Sequence, residues 1–141
     1  MTLISKTTRL IEKTFIEKAF LLHEIFTGSG RMLANRKSRH LYDLEKMMDK
    51  DFATNAIFDN SLWDTIRYHR ERFTHIKGID YSQDIRPKIC LIPPEKVIDD
   101  WRQDYETMKR TMIFGNSVTF EKLLERINQL EERIRHTNTT T

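Results

Sequence analysis

Only four glycines and three prolines are spread over 141 residues, and this scarcity of chain-turning residues constrains the fold most. A sandwich or barrel needs turn signals roughly every ten residues, whereas a few long helices need hardly any. The breakers also cluster. Gly28-Ser29-Gly30 closes a first long segment, Gly78, Pro87, Pro93 and Pro94 crowd residues 77–94, and Gly115 stands alone near the end. The expectation is an all-α fold, an irregular bundle of about five helices with one long Pro-containing loop.

Periodicity fills in the elements. A first helix is predicted over about residues 8–26, where Ile11, Phe15, Ala19, Leu22 and Phe26 recur at spacings of three and four. Ile16, Phe20 and Leu21 lie on its other sides, which suits a central helix. Gly28 and Gly30 are expected to end it in the left-handed conformation glycine tolerates. A second helix is predicted from Ser38, as N-cap, with Leu41, Leu44 and Met48 on one face. A short helical piece follows near 52–58. Asp59, Asn60 or Ser61 then caps a helix running to about His75, with Leu62, Trp63, Ile66, Phe73 and Ile76 as its apolar residues.

Residues 77–94 read as a long connection with one short extended piece at 88–92, and such loops are often functional or packed against a partner. Pro94 opens the next helix in the favoured first turn, where Glu95, Asp99 and Asp100 suit the helix dipole. Its stripe is Val97, Trp101, Tyr105, Met108 and Met112, read as core, and Gly115 is its stop. The last helix starts at a Thr119 cap. The capping box is incomplete because Lys122 stands where an acidic or amide residue belongs. Its stripe is Phe120, Leu123, Leu124, Ile127, Leu130 and Ile134. Residues 1–135 are expected to form one helical domain, and 136–141 a disordered polar tail.

The formal net charge of +3 is too small to argue for a nucleic-acid binder, but its placement is informative. Residues 1–50 hold ten Lys or Arg against six acids, residues 51–90 six of each, and residues 91–141 eight against nine. The basic surplus therefore lies in the first fifty residues. Arg31, Arg36, Lys37 and Arg39 follow one another there with no acid between Glu24 and Asp43. The single cysteine, Cys90, excludes an internal disulfide and reads as a small apolar residue. No apolar run is long enough for a membrane span, and the N-terminus lacks a signal-peptide pattern. A soluble cytoplasmic protein is expected.

Candidate chemistry is sparse. Lys18 lies roughly 60° from the centre of the first helix's apolar stripe. It is either a snorkelling lysine or a cation held over a groove for a phosphate. Arg39, His40 and Asp43 share a helical face. They form either a solvated ion pair or a carboxylate orienting a lysine or substrate hydroxyl, with Arg and His on phosphate oxygens. The histidines have no zinc-ligand spacing and no Cys-x-x-Cys exists, so no metal site is expected in this chain. Gly28-Ser29-Gly30 lacks the spacing and the Lys-Ser/Thr of a phosphate loop. Tyr68-His69-Arg70-Glu71-Arg72-Phe73 interleaves aromatic and basic residues, as RNA-stacking surfaces do, but a half-buried helix gives the same string.

Four ordered segments resemble one family. Thr14-Phe15-Ile16-Glu17-Lys18-Ala19-Phe20-Leu21-Leu22-His23 is similar to the "T-F-x-E-K-x-x-L-L-H" segment of AbiEii/AbiGii-type toxins, and Ser38-Arg39-His40-Leu41-Tyr42-Asp43-Leu44 to their "S-R-H-x-Y-D-L". Tyr68 to Phe73 resembles a later "x-H-K-x-x-F-F". The run from Asp104-Tyr105 through Met112-Ile113-Phe114-Gly115 to Phe120-Glu121-Lys122-Leu123-Leu124 resembles the ending "D-Y-x-x-M … M-x-x-G … F-x-x-L". The resemblance covers about residues 8–135 and implies the helical C-terminal half of a nucleotidyltransferase toxin from a bacterial abortive-infection toxin–antitoxin system. It implies Lys18 as the lysine that holds a nucleotide triphosphate. It implies Asp43 as the later acidic residue, close to the lysine or to the base side. Arg36, Arg39 and His40 are then candidates for nucleotide or phosphate contacts.

The resemblance also implies an N-terminal polymerase-β-like half with a Gly-Ser or Gly-Gly signature and paired acids for two Mg ions. No such signature occurs here, and Asp49-Lys50-Asp51, the one Asp-x-Asp, follows a helix without a glycine turn. The expectation is a truncated or stand-alone helical domain, inactive by itself. Its expected partners are the metal-binding half, a nucleotide and an RNA acceptor or antitoxin. The competing expectation is a non-catalytic interaction module that forms a homodimer or binds an antitoxin. A small RNA-binding protein is a third reading, and the modest net charge counts against it.

Overall fold

A computed structural model describes residues 3–111 and 117–138. The described residues form six α-helices and no strand: α1 Leu3–Thr27, α2 Ser38–Met47, α3 Asp51–Ile57, α4 Asn60–Phe73, α5 Ile98–Thr111 and α6 Phe120–Arg135. Short 3-10 turns occupy Arg86–Lys88, Glu95–Val97 and His136–Asn138. The all-α irregular bundle and its long connection follow the sparse breakers. No helix among the described residues is long and apolar enough to cross a membrane.

α1 is the central helix, as its all-round apolarity requires. Phe15, Ile16, Ala19, Phe20, Leu22 and Phe26 are buried. Three aromatic pairs tie it to three neighbours. Phe15 meets Phe52 of α3 edge-on at 6.4 Å, Phe20 meets Trp63 of α4 at 5.6 Å, and Phe26 meets Trp101 of α5 at 4.8 Å. Such pairs contribute about 0.5–1.5 kcal/mol each beyond the area they bury. The indole N–H groups are satisfied within the core: Trp63 donates to the carbonyls of Ala56 and Ile57, and Trp101 to that of Met32 at 2.9 Å. Trp101, Tyr105 and Met108 of α5 and Phe120, Leu123, Ile127, Leu130 and Ile134 of α6 complete the core. Asp59 and Thr119 cap α4 and α6 through their side chains, as expected.

Several local expectations are corrected. α1 starts at Leu3, before the predicted residue 8, while Ile11 of its expected stripe is exposed. Gly28 does not adopt the left-handed conformation. Among the described glycines Gly78 has the positive φ, +94°. Gly28 is required by close approach instead: a Cβ there would lie 2.7 Å from the Glu24 carbonyl and 3.0 Å from Ile76, where the chain returns alongside with Ser29 N–H donating to the Lys77 carbonyl. Ser38 is buried inside α2's first turn and does not cap its own helix. Phe73 is 70% exposed, with its ring against His69, because the chain leaves α4 at Thr74 and turns at His75 (φ 51°).

The 77–94 connection packs on its own chain. Tyr81, Ile85, Ile89 and Leu91 enter the core. Leu91 N–H donates to Glu131 at 2.8 Å, and Arg135 Nε to the Ile89 carbonyl at 2.9 Å. Buried Arg86 bonds Asp84 and the Ile57 carbonyl. At the end of the chain His136–Asn138 forms a 3-10 turn, with Thr137 buried and bonded to the Ile134 carbonyl at 2.8 Å, so the polar tail is held for three residues. Met112 and Gly115, the rest of the segment 112–116, and residues 139–141 lie outside the described residues.

Candidate functional site

The packing of α1 against α2 brings Lys18 to Asp43. Lys18 Nζ lies 3.0 Å from Asp43 Oδ2, and the two side chains are 21% and 26% exposed. Arg39 Nε approaches the same oxygen at 4.0 Å. His40 stands beside them, with its Nδ1 buried and unpartnered among the described residues. Burial first, then the charge of Lys18, holds its pKa below the ordinary imidazole value, so the ring is neutral near pH 7. Four of the five residues singled out from sequence thus meet. A cationic cluster with one shared carboxylate suits the recognition of an anion bearing several oxygens.

Arg36 is placed differently. With Arg39, Asp104, Thr107, Met108 and Thr111 it lines a groove of about 530 Å³ between the start of α2 and α5. Arg39 therefore serves both places. The segment leading to Arg36 is strained: Met32, Asn35 and Arg36 have φ of 62°, 39° and 66°, a left-handed conformation that side chains rarely adopt. Two carboxylates of α5 hold it there. Asp100 accepts from Ala34 N–H at 3.0 Å. Asp104 accepts from Arg36 N–H at 2.7 Å, from Ser38 N–H at 3.1 Å and from the Ser38 hydroxyl. Asp104 is thus the cap of α2, supplied from another helix.

A second cluster escaped the sequence reading. Glu24, buried on α1, accepts from Arg70 Nε at 2.6 Å and from the Tyr81 hydroxyl at 2.6 Å, and also pairs with Arg70 Nη2. Arg70 in turn lies over the Phe20 ring. No spacing rule joins residues 24, 70 and 81. The one available signal was an acid on the apolar helix α1 that needed a partner. Arg70 also lines a 260 Å³ recess with Thr14, Glu17, Lys18 and Leu21, so Arg70, held by Glu24, stands beside Lys18.

The residues of this site do not fit a divalent metal. Asp43 is already shared between Lys18 and Arg39. The Asp-x-Asp carboxylate Asp49 is taken by Arg126 and Arg133, whose hydrogen bonds hold it below the usual carboxylate range. Among the described residues no three His, Cys, Asp or Glu side chains converge to hold an ion.

The family described as "Nucleotidyl transferase AbiEii toxin, Type IV TA system" matches residues 10–126, most of the chain. This chain belongs to the AbiEii toxin family. No curated protein and no solved structure matches it. The match to the AbiEii family takes in α1 from residue 10, α2 to α5 and the first part of α6, and with them Lys18, Arg36, Arg39, His40 and Asp43. The AbiEii family is one of nucleotidyltransferase toxins, and a toxin of such a system has an antitoxin as its counterpart.

Proposed function

We propose that this chain is the substrate-side helical part of a nucleotidyltransferase toxin acting in abortive infection. In this reading Lys18 meets the phosphates of a nucleotide triphosphate and Asp43 orients the lysine. Arg36, Arg39 and His40 complete the contacts to the nucleotide or to an RNA acceptor. The Lys18–Asp43 pair carries the reading: a lysine and an aspartate from two family-like segments meet at 3.0 Å, partly in solvent, beside Arg39 and a neutral His40. A triphosphate competes with Asp43 for the Lys18 ammonium, since a charge-assisted bond to a phosphate oxygen is at least as strong as one to a partly solvated carboxylate. Neutral His40 can give or accept a hydrogen bond without adding charge.

The metal ions belong, in this reading, to a polymerase-β-like half supplied outside residues 1–141, and the chain alone transfers no nucleotide. Calorimetry with nucleoside triphosphates tests this on the chain and on the complete toxin carrying that half. Weak binding by the chain, tight binding by the complete toxin, and loss of activity in Lys18→Ala are expected. No binding by the complete toxin, or full activity of Lys18→Ala, overturns the proposal.

A further inference from the structure

The string Tyr68-His69-Arg70-Glu71-Arg72-Phe73 suits either a half-buried helix or a surface on which bases stack. Burial separates the two. A half-buried helix turns its aromatic residues inward. The inward side of α4 is occupied by Trp63 and Ile66, while Tyr68 and Phe73 are 57% and 70% exposed. Thr65, His69 and Arg72 are exposed with them.

A single exposed aromatic residue needs no explanation. These two differ in being grouped and oriented. Residues 65, 68, 69, 72 and 73 are three and four apart and share one side of the helix. The Arg72 guanidinium lies over the Tyr68 ring, 5.4 Å from its centroid, and donates to the Tyr68 hydroxyl at 2.6 Å. The Phe73 ring lies against that of His69 at 4.7 Å. Each aromatic ring is thus fixed by a nitrogen-bearing neighbour and still open to solvent.

Charge indicates what such a face would take. Asp64 and Glu71, the acids of α4, lie roughly 120° round the helix from the middle of this side. Two of the three α4 guanidinia are already paired, Arg67 with Asp64 and Arg70 with Glu24. Arg72 has no carboxylate partner among the described residues. Oriented rings beside a free guanidinium, with no acid between them, match the π-faces and phosphates of an unpaired strand. Unstacked bases of RNA loops and ends are recognised in this way. The small net charge of the whole chain does not weigh against a face whose local balance is cationic.

We propose that the Tyr68–Phe73 face of α4 is a binding site for single-stranded RNA, with bases stacked on Tyr68 and Phe73 and a phosphate held by Arg72. The site is separate from the Lys18 recess, which α4 borders through Arg70. It stands whether or not a triphosphate binds at Lys18.

The test is fluorescence anisotropy of a labelled oligouridylate with the full chain, followed by ultraviolet cross-linking and peptide mapping. Binding with adducts at Tyr68 or Phe73 is expected. Tyr68→Leu and Phe73→Leu, which keep apolar bulk at exposed positions but remove the π-face, should each weaken binding roughly fivefold or more. Arg72→Gln should weaken it and lower the slope of log affinity against log salt by about 0.7, the share of one phosphate on a single strand. A duplex of the same length should bind more weakly. The proposal is overturned by absence of binding, by adducts confined to residues 31–43, by equal binding of duplex, or by leucine variants that bind like the native chain. Light scattering covers the other class of partner. Self-association that Phe73→Leu abolishes, without RNA binding, would give this face to a protein contact and overturn the proposal as well.

Discussion

The Lys18 ammonium of α1 and the Asp43 carboxylate of α2 meet at 3.0 Å with both side chains partly in solvent. Such a pair adds only about 0.2–1 kcal/mol to stability. A lysine and an aspartate that matter little to folding can be kept for chemistry. Lys18→Ala and Asp43→Asn should therefore shift the urea midpoint by no more than about 1 kcal/mol at unchanged slope. In the proposed reading, each should lower the kcat/KM of nucleotide transfer, measured with a metal-binding half present, roughly a hundredfold or more, the scale of removing one preorganised donor to charge that develops in a transition state. A large loss of stability with unchanged turnover would assign the pair to the fold alone.

Asp104 makes a different prediction. It takes up two backbone N–H groups and a hydroxyl at the start of α2, where Lys37 offers no side-chain cap. Asp104→Ala should destabilise the protein by about 1–2 kcal/mol, as loss of a helix cap does. Asp104→Asn, which keeps one acceptor oxygen, should recover part of that. Amide hydrogen exchange should show faster opening at residues 36–40 than in α6. Equal effects of Ala and Asn, with no change in exchange at 36–40, would place the contribution of Asp104 elsewhere.

Breaking the buried Glu24–Arg70 pair on one side should be costly. Glu24 is 4% exposed, so Glu24→Gln leaves the Arg70 guanidinium without its counter-charge. A loss of about 3–5 kcal/mol is expected. Tyr81→Phe removes one bond to the same carboxylate and should cost about 1.5–3 kcal/mol. The double variant Glu24→Leu/Arg70→Met should be more stable than the sum of its singles implies, because no charge is then left buried alone. Strict additivity across this cycle would show that the pair is not coupled.

What the sequence made legible follows from range. The helices, the Asp59 and Thr119 caps and the central place of α1 rest on residues a few positions apart, where periodicity and local hydrogen bonding act. The meeting of Lys18, Asp43, Arg39 and His40 was legible because two helical segments each carried part of a known pattern. Asp104 capping Ser38, and Glu24 joining Arg70 and Tyr81, are contacts between residues far apart in the chain, and no local rule encodes them. Gly28 shows the same limit at one residue: local reasoning assigns it a left-handed helix end, but the Glu24 carbonyl and the returning Ile76 are what exclude a side chain there. The exposure of Phe73 was hidden likewise, since its helical phase is apolar and only the turn at His75 carries the chain away.

His23 gives α1 a pH dependence whose sign can be worked out. Its ring is buried, and its Nδ1 accepts from Cys90 N–H at 3.1 Å, which requires the neutral ring. Burial is the main cause that brings its pKa from 6.5 down to about 4; Glu24 opposes this and Arg135 assists it. In the unfolded chain the same imidazole titrates at its ordinary value. Between those two values the unfolded state binds the extra proton, so stability rises with pH there. The contribution is fully present above about 6.5 and is lost as pH falls toward about 4, on the order of 3 kcal/mol in all. His40, also lowered, acts in the same direction. Urea unfolding across this range should show the loss in the native protein. His23→Gln, which keeps an acceptor for Cys90 N–H but has no proton to take up, should flatten most of the slope between pH 6.5 and 4. A variant that loses stability over this window as steeply as the native protein would move the cause from His23 to the surrounding carboxylates.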